Sequence, residues 1–249
     1  MSRTATLAVG QFQRVGDDKE ANLAKMSQLA RDAARQGAQL ICFPEMCLSS
    51  AGKQGGLAEP VPGPAVERLG AIARQNNLFV IAGLPEKDER MGKLHNSCVL
   101  VSPQGALVTC YRKRCLYLGE NKTFTPGTQN VVEDITFAPS PTLPHAHPPT
   151  PLTSCRLALT ICYDYVFAEY IRRLVDAGAE LICHPTAWKT TAVCEQWHYS
   201  PMAYRAMGMT RALENTVFFL SANLWDSEDK DKTTRNIGQS SIIAPWGES

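Results

Sequence analysis

Short apolar runs alternate with segments of helical apolar spacing along most of this chain, and no other feature constrains its fold as strongly. Residues 18–36 carry apolar side chains at helical spacing, and the run AQLICFPE that follows predicts a buried strand. The same patterns predict strands at 4–11, 78–86, 131–137 and 155–162 and in the runs ELICHP, TVFFLSAN and IGQSSIIAP, with helices at 64–76, 167–177 and 197–214. Such alternation predicts one α/β domain with mixed sheets covered by helices.

Three segments interrupt the alternation. Two strand-like runs flank the tetrapeptide SPQG at 102–105, a short loop with a glycine that predicts a hairpin. Residues 138–154 contain six prolines, which cannot donate to a sheet ladder, so we expect an exposed, extended loop insertion. The run at 225–235 is dense in charge and predicts a solvated loop.

Composition and charge argue against several classes of protein. Lysine and arginine number 25 against 24 aspartates and glutamates, so no net field attracts nucleic acid or an anionic membrane. No apolar run reaches the roughly 18 residues that a membrane span needs, and the start of the chain lacks the parts of a signal peptide. The nine cysteines are odd in number and lie mostly inside apolar runs, which is typical of reduced thiols. We therefore expect a cytoplasmic protein.

Cys162 is the last residue of the predicted interior strand CRLALTIC, just before a predicted helix. Reactive groups gather where strands end and helices begin, and backbone amides at a helix N-terminus stabilise a thiolate. A thiol nucleophile also needs a base and a group that holds the oxyanion. In a chain with nine cysteines, an inert buried thiol is the alternative, and position alone leaves both interpretations open.

Two further residues occupy comparable positions. Glu45 follows the strand-like run QLICFP, and in an apolar pocket its pKa would rise, which suits a group that takes and returns protons. Lys113 lies in the basic cluster YRKR at 111–114, where alternation along a strand turns only part of the cluster inward. An inward ammonium stabilises an oxyanion, and Glu120 is a candidate to orient it. The alternatives are an ordinary surface carboxylate and a solvated basic strand end.

Competing arrangements have less support. A pairing of Cys162 with His184 or His198, as in papain-like enzymes, finds no local support. The possible metal ligands form only two pairs, Cys194 with His198 and His145 with His147. A zinc site needs three or four clustered ligands, so we expect no metal site. The chain has no Gly-x-Gly-x-x-Gly and no phosphate loop, so we expect no nucleotide or other cofactor.

Three motifs, taken in order, resemble the signatures of the nitrilase superfamily of carbon–nitrogen hydrolases: FPEM at 43–46, YRKRCL at 111–116 and ICYDYVFAE at 161–169. The similarity covers nearly the whole chain, because it continues through Glu120 with TFTPG, RALENTVFFLSAN at 211–223 and GQSSIIAPWGE at 238–248. This family uses a Glu–Lys–Cys triad.

The resemblance implies a role for each candidate residue. Glu45 would be the general base and acid, Lys113 the oxyanion stabiliser and Cys162 the nucleophile. Glu120 matches a second glutamate that positions the lysine and the substrate. The backbone N–H of Tyr163 would be the other oxyanion donor.

The resemblance also implies a single-domain, four-layer α-β-β-α sandwich over residues 1–249, which pairs through its outer helices into a homodimer or a higher homo-oligomer. The chain departs from the family pattern in three places. Cys115 stands where relatives usually carry histidine, and the insertion at 138–154 is longer than usual. We expect the family's last strand and tail to be missing after Ser249.

The residues after the expected nucleophile bear on the substrate. Nitrile-hydrolysing members commonly continue with Trp-Glu, whereas this chain continues with Tyr163 and Asp164, closer to the family's amidases and carbamoyl hydrolases. We therefore expect a small amide as substrate, with an N-carbamoyl compound or a nitrile as alternatives. Tyr163 and Trp188 are candidates to line the pocket. A non-catalytic scaffold of the same fold is disfavoured because all three triad residues are present.

Overall fold

Two five-stranded sheets and four helices make up the fold of the computed structural model, which describes residues 4–138, 153–190, 201–226 and 235–249. The strands are β1 (Leu7–Val9), β2 (Leu40–Cys42), β3 (Phe79–Asp88), β4 (Lys93–Val101), β5 (Leu107–Arg112), β6 (Val132–Phe137), β7 (Thr153–Leu159), β8 (Leu181–Thr186), β9 (Lys189–Thr190), β10 (Phe218–Asn223), β11 (Arg235–Asn236) and β12 (Ser241–Ile243). The helices are α1 (Lys19–Arg35), α2 (Pro64–Asn76), α3 (Ala168–Asp176) and α4 (Pro201–Asn215), and short 3₁₀ turns lie at Lys53–Gly55, Glu120–Lys122 and Cys162–Val166.

Both large sheets are mixed. The first has the spatial order β1-β2-β3-β4-β5, and the second has the order β12-β10-β8-β7-β6. Parallel pairs occupy one part of each sheet, such as β1 with β2 and β7 with β8, whereas β3, β4 and β5 pair as antiparallel hairpins. The parallel strands are joined through helices, which cover the outer faces of the sheets, so these strands are apolar on both faces.

Alternating side chains of each strand enter two different cores. Ile41 and Val80 face the helical layer, where they pack with Met26 of α1 and Leu69 of α2. Their neighbours in sequence, such as Phe79, face the second sheet, and the Phe79 ring meets the Phe137 ring edge to face at 5.8 Å. The order of layers is therefore helices, sheet, sheet and helices, which confirms the predicted four-layer α-β-β-α sandwich.

The predicted hairpin between β4 and β5 is confirmed. The N–H of Gly105 donates to the carbonyl of Ser102 over 2.8 Å, and the N–H of Ser102 donates to the carbonyl of Ala106 over 2.8 Å. Gly105 has a φ of +81°, and the carbonyl oxygen of Gly70 in α2 would lie 2.7 Å from a Cβ at this position. Glycine is therefore required here by both the turn and the helix beneath it.

Two predicted strand boundaries are wrong. The strand that was expected to end at Cys162 ends at Leu159, because the N–H of Ile161 bonds to the Asp164 carboxylate instead of to a neighbouring strand. The last predicted strand, IGQSSIIAP, is reduced to Ser241–Ile243, since Gly238 and Gln239 both have positive φ angles and interrupt the extended backbone.

Several predictions fall wholly or partly outside the described residues. They concern the insertion at 138–154 apart from its ends, the charged run at 225–235 apart from its ends, the start of the helix predicted at 197–214, and the residues Cys194, His198, His145 and His147. In the described part of the chain, none of the helices has the length and apolar character to cross a membrane.

Candidate active site

Three residues of the predicted site lie just beyond the ends of strands. Glu45 follows β2 by three residues, Lys113 follows β5 directly, and Cys162 follows β7 by three residues. All three are buried, at 4%, 1% and 8% exposure respectively, and all three line one cavity of about 450 Å³. The cavity also contains Glu120, so the structure brings together all four candidates for the chemistry.

Lys113 is held between two carboxylates. Its Nζ lies 2.8 Å from Oε1 of Glu45 and 2.9 Å from Oε2 of Glu120. The second oxygen of Glu45 accepts the backbone N–H of Ala187 over 2.9 Å, which ties the carboxylate to the end of β8. Both of these partners donate to the Glu45 side chain, which is the environment of an ionised carboxylate.

Successive side chains along β5 point to opposite faces of the sheet, so only Lys113 of the basic cluster points into the cavity. Arg112 points to the opposite face, where its Nε donates to Glu86 over 2.9 Å and its Nη2 lies 3.0 Å from Asp88. Arg114 lies with its guanidinium 5.1 Å from the centre of the Tyr170 ring. The expectation that only part of the cluster faces inward is confirmed.

Asn96 in β4 belongs to the same cluster and was not identified from the sequence. Its Nδ2 donates to Glu45 over 2.6 Å and to Glu120 over 3.1 Å, and its backbone carbonyl accepts the backbone N–H of Lys113 over 2.8 Å. The side chain is 1% exposed. A polar amide at the start of the apolar run NSCVLV was the available signal, since a buried amide needs partners.

The backbone at Cys162 is left-handed, with a φ of +47°. Residues other than glycine adopt this conformation at a cost of about 1–3 kcal/mol, and such strain is common at functional sites. Cys162 opens a 3₁₀ turn, and the preceding residue, Ile161, is extended. The thiol is therefore carried on a tight turn after the strand, and not on the strand itself.

Asp164 fastens this turn to the segment that carries Lys113. One carboxylate oxygen accepts the N–H of Cys115 over 2.8 Å; the other accepts the N–H of Ile161 over 2.8 Å and the Tyr111 hydroxyl over 2.7 Å. Asp164 is fully buried, and burial raises its pKa, although these three hydrogen bonds oppose the rise. One side chain thus links the segments on either side of Lys113 with the residue before Cys162.

The protonation states differ from the expectation that Glu45 would have a raised pKa. Burial alone would raise the pKa of Glu45, but the charge of Lys113 and hydrogen bonds with Lys113, Asn96 and the Cys162 thiol lower it below 4.5. Burial and the nearby charge of Glu45 raise the pKa of Cys162 to about 12. Before reaction, Cys162 is therefore a protonated thiol beside an ionised Glu45. The expected stabilisation of a thiolate by backbone amides does not dominate the pKa of Cys162.

The two candidates for substrate contact lie in different places. Trp188 lines the cavity, with its backbone N–H bonded to Asn223 over 2.8 Å and its ring 5.6 Å from that of Tyr165. The Tyr163 side chain is not among the described lining residues; its ring packs at 5.2 Å against Tyr117, which does line the cavity. The aromatic wall on this side is therefore supplied by Tyr117.

His184 does not line the cavity as the described residues define it. It is fully buried, with Nδ1 2.8 Å from the Thr160 hydroxyl and its ring 4.6 Å from that of Tyr165. Burial lowers the pKa of His184 to about 3, so the ring is neutral and suited to packing. Within the described ranges, no group of three or more possible metal ligands occurs.

Comparisons with known proteins agree with this geometry. The carbon-nitrogen hydrolase family model matches residues 6–249. The omega-amidase NIT2 of Bos taurus is 32% identical over 248 residues, covering 98% of this chain and 83% of the relative, and that of Homo sapiens is 30% identical, covering 97% and 82%.

Solved structures share the fold. A mutant of the amidase from Nesterenkonia sp. AN1, with acrylamide added to its active-site cysteine, has a TM-score of 0.75 at 24% identity, covering 98% of this chain and 87% of that one. Nit3 of Saccharomyces cerevisiae, a member of the nitrilase superfamily, has a TM-score of 0.76 at 20% identity, covering 96% and 81%. The chain described here belongs to the carbon–nitrogen hydrolase family.

Proposed function

We propose that this protein hydrolyses the carbon–nitrogen bond of a small amide through a thioester on Cys162. The observation that carries the proposal is the ion pair of Glu45 with Lys113, 2.8 Å long, inside a cavity that Cys162 also lines. A base, a cation and a nucleophile are the parts that acyl transfer requires.

In the first half of the reaction, Glu45 removes the thiol proton as sulfur attacks the amide carbon. The new carbon–sulfur bond converts the carbonyl oxygen into an oxyanion, which Lys113 and the backbone N–H of Tyr163 stabilise. Glu45 then returns the proton to nitrogen, the carbon–nitrogen bond breaks, and ammonia or an amine leaves. Because the pKa of Glu45 is lowered, the carboxylate is already ionised and can accept the thiol proton when the sulfur attacks.

In the second half, water replaces the amine. Glu45 takes a proton from that water as the water oxygen attacks the thioester carbon. The carbon–sulfur bond then breaks, Glu45 gives the proton to the sulfur to restore the thiol, and a carboxylic acid is released. Glu120 and Asn96 hold Lys113 and Glu45 in place throughout, since both side chains contact that ion pair. No cofactor enters either step.

The relatives favour an amide substrate. The curated relatives at 30–32% identity are omega-amidases, and the Tyr163–Asp164 pair after the nucleophile is closer to the family's amidases than to its nitrilases. A cavity of about 450 Å³ accommodates a small substrate. We therefore propose an amide at the end of a short carbon chain, with N-carbamoyl compounds and nitriles as the alternatives to be tested.

Ammonia release from a panel of aliphatic amides, ω-amides, N-carbamoyl amino acids and nitriles tests this function. We expect ω-amides to be hydrolysed and Cys162→Ala to abolish the activity, whereas Cys155→Ala, which removes a thiol outside the cavity, retains it. Activity that survives Cys162→Ala would reject the nucleophile. Failure of the whole panel with folded protein would favour a non-catalytic scaffold.

We also propose that the protein is a homodimer or larger homo-oligomer that pairs through its outer helices. Exposed apolar side chains support this: Met202, Met209 and Leu213 share one face of α4, and they are 76%, 37% and 59% exposed. We expect light scattering to report a dimer mass and Leu213→Glu to yield a monomer. A monomeric native protein at micromolar concentration would reject this assembly.

A cytoplasmic location is supported by the thiols. Eight cysteines in the described residues are free, and most are buried, which suits a reducing compartment. Cell fractionation with an antibody to the protein tests this proposal, and recovery in a secreted or lumenal fraction would contradict it.

A further inference from the structure

Thr186, the last residue of β8, carries a buried hydroxyl that the reaction proposed above does not use. The residue is fully buried, and its Oγ1 has no hydrogen-bond partner within the described ranges. A hydroxyl that is buried without a partner destabilises the folded state, and most buried polar groups do have one. A partner that exists during only part of a reaction would explain why this hydroxyl is kept.

The pairing of β7 with β8 places Thr186 beside Cys162. The two strands are parallel neighbours, and their register continues past the end of β7, where the N–H of Thr160 donates to the carbonyl of Cys183 over 3.1 Å. The Thr160 hydroxyl also lies 2.8 Å from Nδ1 of His184, so these two side chains share one face. Two residues further along each segment are Cys162 and Thr186, which alternation brings to the same face.

The backbone of Thr186 is fixed against the segment that carries Glu45. Its carbonyl accepts the N–H of Glu45 and that of Leu224, each over 3.3 Å. The N–H of the next residue, Ala187, donates to the Glu45 carboxylate over 2.9 Å. A β-branched side chain has few rotamers, so the hydroxyl oxygen is held in place while its hydrogen can turn toward an acceptor.

The charge on the Cys162 sulfur decides whether the hydroxyl has a good acceptor. A thiol sulfur accepts only weakly, and the hydrogen of this thiol is directed at Glu45. A thiolate is charged and accepts more strongly. Burial and the charge of Glu45 raise the pKa of Cys162 to about 12. The charge of Lys113 and a hydrogen bond from Thr186 oppose that rise, so the hydroxyl is within reach of the sulfur and favours its charged form.

We propose that Thr186 is a further catalytic residue, whose hydroxyl donates a hydrogen bond to the Cys162 sulfur while that sulfur carries negative charge. This inference rests on the proposed function and adds a residue to it. As Glu45 removes the thiol proton, the electron pair of the sulfur–hydrogen bond stays on sulfur, and the Thr186 hydroxyl donates to it without losing its own proton. The charge moves to the carbonyl oxygen as the carbon–sulfur bond forms. It returns to sulfur when that bond breaks, and Thr186 donates again until Glu45 returns the proton. Because the hydrogen bond strengthens only as charge develops, it lowers the barrier more than it aids binding.

Thr186→Val removes the hydroxyl and keeps the branched shape. We expect kcat for ammonia release to fall about tenfold, as for the loss of a hydrogen bond to a charged group, whereas Thr186→Ser keeps the hydroxyl and most of the activity. The melting temperature of Thr186→Val should stay the same or rise, because a methyl group replaces a polar group that has no partner at rest. Thr186→Ala removes the same hydroxyl without adding a methyl group and should match Thr186→Val in kcat.

Thr160→Val is the matched control, since it removes a buried hydroxyl from the adjacent segment that contacts His184. We expect it to have a lower melting temperature and native kcat. A purely structural role for Thr186 predicts the same result for Thr186→Val, and that result would overturn the inference.

Alkylation of Cys162 by iodoacetamide separates this inference from the proposed function, because it needs no substrate. The rates are compared in the Glu45→Gln protein, where no carboxylate takes the thiol proton and the rate follows the thiolate fraction. We expect adding Thr186→Val to slow alkylation about three- to tenfold at each pH, since a higher thiol pKa lowers the thiolate fraction more than it raises nucleophilicity. Adding Thr186→Ser or Thr160→Val should leave the rate nearly unchanged.

Slower alkylation in Thr186→Val without hydrolysis of any amide would reject the proposed function and keep the hydrogen bond to sulfur. Equal alkylation rates with and without the hydroxyl would overturn the inference while amide hydrolysis stands. A Thr186→Ser protein as slow as Thr186→Val would also overturn it, because the hydroxyl would then not be the group that matters.

Discussion

The carboxylate of Glu45 and the ammonium of Lys113 lie 2.8 Å apart although 68 residues separate them in the chain. Both groups are almost completely buried. Removal of Lys113 takes away the cation that pairs with Glu45, whereas removal of Glu45 leaves Lys113 paired with Glu120 alone. A buried ion pair adds little net stability, but breaking one side of it is costly, by about 3–5 kcal/mol. The pair is therefore best explained by what it does in the cavity. For any substitution in the pair, a loss of activity must be compared with the loss of folded protein.

Glu45→Gln keeps the shape of the side chain and removes the base. We expect kcat for ammonia release to fall by roughly 10²–10⁴, the range for loss of general acid–base catalysis. Circular dichroism on the same sample shows whether the variant is folded. Glu67→Gln, which removes a carboxylate from the first turn of α2, is the control and should retain full activity. A folded Glu45→Gln protein with native kcat would contradict the assignment.

The protonation states predict how Cys162 responds to pH. Glu45 is ionised above its lowered pKa, and the thiol has its pKa raised to about 12 by burial and by the charge of Glu45. Below its pKa, an ordinary thiol reacts about tenfold faster for each unit by which the pH rises, because the thiolate fraction grows. The reaction rate of a thiol that passes its proton to an ionised neighbour does not rise with pH over that range. We expect the rate of Cys162 alkylation by iodoacetamide to be nearly flat from about pH 6 to about pH 9.

Mass spectrometry of the alkylated peptide measures that rate for Cys162 alone. The same measurement on Glu45→Gln should show a slow reaction that rises with pH, because the proton acceptor is gone. A tenfold rise per pH unit in the native protein would mean that Glu45 does not take the thiol proton.

Asp164→Asn tests the link between the Cys162 turn and the Lys113 segment. The amide offers one acceptor oxygen where the carboxylate offers two, so its NH₂ group faces a donor, either Cys115 or Ile161. We expect a loss of about 1–3 kcal/mol in the free energy of unfolding and a fall in kcat at temperatures well below the melting transition. Tyr111→Phe, which removes one hydroxyl donor to Asp164, should cost about 1 kcal/mol and change kcat less. Native kcat in folded Asp164→Asn would show that the link is structural only.

Gly83→Ala tests a close approach behind Glu45. A Cβ at this position in β3 would lie 2.6 Å from Cα of Glu45 and 2.8 Å from the nitrogen of Met46, both of which are backbone atoms. We expect the Glu45 segment to shift, kcat to fall at least about tenfold, and the protein to lose about 1–3 kcal/mol of stability. Gly56→Ala is the control, since its nearest contact is 3.3 Å away. Equal kcat in the two variants would contradict the close approach.

The helices and the interior strands are predictable from the sequence because their apolar periods are strong. Periodicity predicts a helix at 18–36 and one at 64–76, and the structure has helices at Lys19–Arg35 and Pro64–Asn76. The end of β7 is not predictable in this way. The apolar run continues to Cys162, and the strand stops earlier because a carboxylate three residues ahead captures the N–H of Ile161.

The sequence by itself determined the class of fold and the residue types that lie just past the strand ends. The reason is that the local pattern of apolar residues indicates which segments are buried and whether their period is that of a helix or a strand. It also carried the motifs that identify the family. Only the tertiary structure decided that Glu45 is ionised and the Cys162 thiol is not, that Asn96 bridges two glutamates, and that Tyr117 rather than Tyr163 lines the cavity. The physical reason is that hydrogen bonds and electrostatic energies depend on distances between groups far apart in the chain, which no local pattern contains.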